Sequence, residues 1–154
     1  MKPEIEKQLE AILDERQKQE RAARSRADER QQTAANNLAD FLIARDKIIK
    51  PAFQEIVNLF AARGFTIRLT EENEYADARA RSIEAGIALD MSGFYQKSSI
   101  PNPQFKLSFT KDTRNVSVYG STDQTGGSRG NVSLDDLTAE WIHEAFLNYQ
   151  SGKF

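Results

Sequence analysis

Five consecutive residues, Gly126-Gly127-Ser128-Arg129-Gly130, form the stretch of this chain best suited to hold a small anion. Adjacent glycines let successive backbone N–H groups converge on one point, and the Arg129 guanidinium would add positive charge there. The phosphate-loop pattern fails, however. No Lys-Ser or Lys-Thr pair follows at the required spacing, and no helix is expected to begin directly after the glycines. The dinucleotide fingerprint fails too, because the surrounding pattern is not strand–helix–strand. The expectation is a hairpin-type connection, with ligand contact by Gly126, Gly127, Ser128 and Arg129 as the alternative.

Other reactive groups are sparse. His143 is the single histidine, so no multi-histidine metal centre can form within one chain. Glu140 and His143 have the Glu-x-x-His spacing of carboxylate-bridged di-iron bundles, but the second pair and the bundle are missing. Ser98 and Ser99 lack a histidine or lysine in any nucleophile motif. Glu71, Glu72, Glu74 and Asp77 depart from the order of a calcium loop and lack its glycine, so a solvated acidic turn is expected. The absence of cysteine removes disulfides, thiolate metal sites and thiol catalysis. No catalytic residue, cofactor or metal is expected.

Hydrophobic periodicity sets the elements that carry these groups. From Leu38 to Arg63, the residues Leu38, Phe41, Leu42, Ile49, Phe53, Ile56, Val57 and Phe60 recur at three- and four-residue steps. That is the broad stripe of a helix covering a core. Pro51 removes a backbone donor, which predicts a kink near Lys47–Lys50, and Gly64 suits a left-handed cap. Beyond Gly64 the period falls to two. Phe65–Leu69, Ile83–Met91, Phe105–Phe109 and Val116–Val118 alternate apolar with polar residues, as half-buried antiparallel strands do. Lys111–Arg114 reads as a tight hairpin turn, Ser92–Pro103 as a longer loop, and Ser121–Asn131 as a glycine-rich loop before a short extended piece. A final helix from about Thr138 to Gln150 carries Trp141, Ile142, Ala145, Phe146 and Tyr149 on one side. Phe105, Leu107 and Phe109 share the inner face, leaving Tyr119 alone on the other, so the sheet makes a poor base-stacking platform.

The first 36 residues differ from the rest. Their large apolar side chains are Met1, Ile5, Leu9, Ile12 and Leu13, and every residue from Asp14 to Gln32 is charged, Gln, Ser or Ala. Opposite charges four apart favour a solvated helix. Continuing the Ile5/Leu9/Ile12 register places Arg16, Gln19, Ala23, Arg26 and Arg30 in the seam, so only the first turns can pack in coiled-coil fashion on another chain. At Asn37, a weak N-cap candidate, the long helix either restarts or passes straight through. Lys and Arg number 21 and Asp and Glu 23, a balance of −2 without the basic excess of a nucleic-acid binder. No apolar run suits a membrane span, and a soluble cytoplasmic protein is expected.

These readings predict an α+β two-layer sandwich. A four- to five-stranded antiparallel sheet (residues 37–154) carries two helices on one face and is preceded by a long charged helical arm (residues 1–36). The expected function is a non-enzymatic protein-interaction or assembly module. In it Ile5, Leu9, Ile12 and Leu13 dock the arm on a protein partner or a second copy. The alternative is small-ligand, nucleotide or anion binding at the Gly126–Gly130 loop.

Overall fold

The computed structural model describes residues 1–76, 82–95, 102–120 and 128–152. By its contacts the chain separates into two units, Met1–Asn36 and Asn37–Phe154. Helix α1 spans Pro3–Ala44. Proline at the first helical position leaves no bond unmade, and Glu4 and Glu6 suit the positive end of the helix. In the first unit residues 1–33 are all exposed, so local terms hold this helix: good helix formers and spaced pairs such as Arg16–Glu20 at 3.3 Å.

The helix does not restart at Asn37. That carboxamide is buried; its Nδ2 donates to the Lys111 carbonyl at 2.8 Å and its Oδ1 accepts from Arg114 Nη1 at 2.8 Å. Asparagine breaks helices by bonding to its own backbone, and here tertiary partners occupy both ends of the side chain. The disturbance expected before Pro51 takes the form of a π-helical stretch, Arg45–Ile49, in which Lys50 N–H donates to the Arg45 carbonyl five residues back. Pro51 then opens α2, Lys50–Ala62. Gly64, at φ +86°, ends α2 with both bonds of a Schellman motif: Phe65 N–H to the Phe60 carbonyl and Gly64 N–H to the Ala61 carbonyl, each 3.0 Å.

The second unit is an α+β sandwich built on a five-stranded antiparallel sheet. Its strands are β1 (Arg68–Glu72), β4 (Gly86–Asp90), β5 (Gln104–Thr110), β6 (Asn115–Gly120) and β7 (Ser128–Ser133), in the order β1-β4-β5-β6-β7. Between β1 and β4 the chain makes a separate small ribbon of β2 (Tyr75–Ala76) and β3 (Ser82–Ile83). Register places Leu69 beside Leu89 beside Phe105, and Ile87 beside Leu107 beside Val118. These rows face α2 and α3 (Ala139–Ser151), whose Phe53, Ile56, Ile142, Phe146 and Tyr149 close one continuous core. Phe41, near the end of α1, stacks flat on Phe109 with ring centroids 4.6 Å apart.

Three expectations need correcting. The strand read as Ile83–Met91 is interrupted: Ile83 pairs with Tyr75 in the ribbon and is exposed, and the main strand begins at Gly86. Glu71 and Glu72 belong to β1 rather than to a turn. The loop expected through Asn131 gives way to β7 already at Ser128, where a register shift on β6 between Ser117 and Tyr119 meets Gly130 at a positive φ of +149°, a conformation that favours glycine.

Candidate interaction surfaces

Ile5, Leu9, Ile12 and Leu13 lie within one stripe about 100° wide on α1. They are 47%, 45%, 64% and 60% exposed. Around them stand charged and amide side chains, so four aliphatic groups form an isolated apolar patch on the first unit. Of the proposed anion contacts, Gly126 and Gly127 lie outside the described residues, as do Ser98, Ser99 and Asp77. Ser128 and Arg129 are backbone members of β7, with Ser128 opposite Tyr119. β7 is an edge strand of the sheet, so its N–H groups point alternately toward β6 and away from it.

The acidic residues near β1 do not gather. Glu71 pairs with Lys50, Glu72 with Lys106, and Glu74 with Lys111. The hydrogen bond from Lys50, reinforced by the Arg45 and Lys50 charges, holds the Glu71 carboxyl below its usual range against the opposing effect of burial. Among the described residues no three acidic or histidine side chains could hold a metal ion. Glu140 and His143 are not brought together as ligands either: His143 Nε2 sits 3.1 Å from Glu55 Oε2 on α2.

Three features escaped the sequence reading. The first is Arg45, 93% buried within the π-helical turn. Its Nη1 donates to the Glu72 carbonyl at 3.0 Å and the Gly86 carbonyl at 3.3 Å. Nη2 donates to Asn73 Oδ1 at 3.1 Å, with Glu71 Oε2 at 3.7 Å. The second is Arg114, held at φ +58° in the β5–β6 turn, which joins Asp40 at 2.9 Å, Asn37 at 2.8 Å and Asp135 at 2.7 Å. Its hydrogen bond pulls the Asp135 carboxyl below the ordinary range. The third is an open apolar groove of about 430 Å³ between α2 and α3, lined by Ile56, Leu59, Phe60, Phe146 and Leu147 with His143 at its rim. Leu59 and Leu147 fall outside the core-facing stripes, which is the sequence signal for that groove.

The face of the sheet away from the helices presents Thr70, Ala88, Lys106 and Tyr119 in one row and Ser108, Ser117 and Asn131 in the next. One aromatic among small polar groups does not make a stacking surface. No described helix is long and apolar enough to cross a membrane. No family model, no curated protein and no solved structure matches the chain.

Proposed function

We propose that this chain is a non-enzymatic assembly module that binds another protein chain through the N-terminal turns of α1. One observation carries the reading. Ile5, Leu9, Ile12 and Leu13 stand exposed on a single stripe of a helix whose residues up to Thr33 touch no core. Burying a large aliphatic side chain is worth about 1.5–3 kcal/mol, so leaving four of them in water on a polar helix is a standing drive toward a partner surface. Around that stripe, residues 1–15 carry two basic side chains against five acidic ones. Apolar contact supplies affinity, and the acidic surround sets which partner surface suits it.

The test compares the full chain with a chain lacking residues 1–32 and with the triple substitution Ile5→Gln, Leu9→Gln, Ile12→Gln. Light scattering reads the mass, and chemical crosslinking reads contact with any protein partner. Both variants are expected to lose assembly while the second unit, whose core runs from Phe41 to Tyr149, keeps its melting temperature. Assembly and crosslinking unchanged in both variants would overturn the reading.

A further inference from the structure

We infer that the occupant of the apolar stripe is the same helix of a second copy, paired antiparallel; this rests on the stripe being a docking surface. Charge along α1 is segregated. Residues 1–15 hold two basic side chains against five acidic ones, a net −3, and residues 16–30 hold six basic against three acidic, a net +3. Bulk on the stripe is segregated too: Ile5, Leu9, Ile12 and Leu13 occupy it in the acidic half, while Arg16, Gln19, Ala23, Arg26 and Arg30 continue it in the basic half. Because residues 1–33 are all exposed, both patterns face solvent in the single chain and are free to meet a partner.

Two copies of such a helix have two ways to lie side by side. Parallel pairing sets the −3 half on the −3 half and the +3 half on the +3 half, so like charges face each other along the whole length. Antiparallel pairing brings each acidic half against a basic half, so that Glu10 approaches Arg21 and Glu15 approaches Arg16 across a two-fold axis. It also sets Leu9 beside Ala23 and Ile5 beside the aliphatic stem of Arg26. Charge is the term that selects the antiparallel arrangement.

The absence of cysteine in the chain makes site-directed disulfides a clean probe. Gln8→Cys and Ala23→Cys are placed in separate full-length chains and oxidised alone and mixed. The expected result is a mixed Gln8→Cys/Ala23→Cys disulfide dimer and at least tenfold less of the Gln8→Cys self-dimer. Light scattering of the cysteine-free chain should give twice 17.4 kDa at high concentration. Substituting Arg21, Arg24 and Arg26 by Glu should raise the dissociation constant at least tenfold, and the difference should shrink in added salt. A predominant Gln8→Cys self-dimer, or a monomeric mass at all concentrations, overturns the antiparallel pairing. If the chain is monomeric while the Ile5/Leu9/Ile12→Gln variant loses crosslinking to another protein, self-pairing alone falls. If that crosslinking is also unchanged, the assignment of the stripe as a docking surface falls with it.

Discussion

Arg45 bonds to two strands that reach it from far along the chain: the Glu72 carbonyl lies 27 residues on and the Gly86 carbonyl 41. A planar, permanently charged fork suits this position, because it satisfies several acceptors without leaving its plane. Arg45→Ala should cost about 2–4 kcal/mol, since the carbonyls lose charged donors and the buried stem leaves a void. Arg45→Lys should recover less than half, a single ammonium being unable to span both strands; urea unfolding midpoints with unchanged slopes check both values. Leu59→Gln, at a position 62% exposed, should by contrast stay within about 0.5 kcal/mol of the parent. Glu71 adds a pH signature. Its carboxyl titrates below the ordinary 4.5 because of Lys50 and Arg45, so the folded state binds fewer protons there than the unfolded one. The stability it contributes is fully present above about pH 4.5 and is lost as pH falls through the depressed folded value. The melting temperature should therefore fall on acidification, and Glu71→Gln should flatten that limb. Part of this was legible: Phe41, Arg45 and Ile49 stand four apart, so a charged residue occupies the apolar rhythm. Whether such an arginine reaches out to water or inward is decided by acceptors on strands that local spacing does not reveal.

At the scale of elements, the period switch at Gly64 was readable because one glycine both ends a helix and precedes alternation. Gly64 has a left-handed φ of +86° and nothing within 4 Å of where a Cβ would stand. Gly64→Ala should therefore cost about 1–2 kcal/mol, from backbone conformation alone. Gly86 tests a different cause. A Cβ there would stand 2.6 Å from the Leu107 carbonyl oxygen, so Gly86→Ala must push β4 from β5 and should cost more than Gly64→Ala, by about 1–3 kcal/mol. Differential scanning calorimetry of the two variants gives the order, and a costlier Gly64→Ala would contradict the packing argument. The split of the predicted Ile83–Met91 strand was not legible. Alternation continues unbroken through Glu84 and Ala85, and only the arrangement in space shows Glu84 leaving the ladder to accept from Ser108 Oγ at 3.1 Å. The π-helical turn was half legible: Pro51 located a fault but not its type. The wider turn leaves both Arg45 and Ile49 buried.

For the whole molecule, the two units rest on different physics, and heat should separate them. Asn37–Phe154 has one continuous core joining α2, α3 and the sheet, so it should unfold cooperatively, and the single tryptophan, Trp141 on α3, reports on that unit alone. Met1–Asn36 holds together by propensity and exposed pairs such as Arg16–Glu20. An isolated solvated helix of that kind melts gradually, since each turn is only marginally favoured in water. Helical ellipticity should therefore fall over a broad range below the sharp Trp141 fluorescence transition. Antiparallel pairing adds a concentration term, because a complex that forms only between helical arms stabilises them by mass action. Raising the chain concentration a hundredfold should move the broad phase to higher temperature and leave the Trp141 midpoint in place. Ile5→Gln with Leu9→Gln should return the broad phase to its dilute position at every concentration. A broad phase that ignores concentration in the parent chain would contradict pairing. A Trp141 midpoint that follows concentration would instead move the assembly surface onto the second unit, where the Leu59–Leu147 groove offers the exposed apolar area.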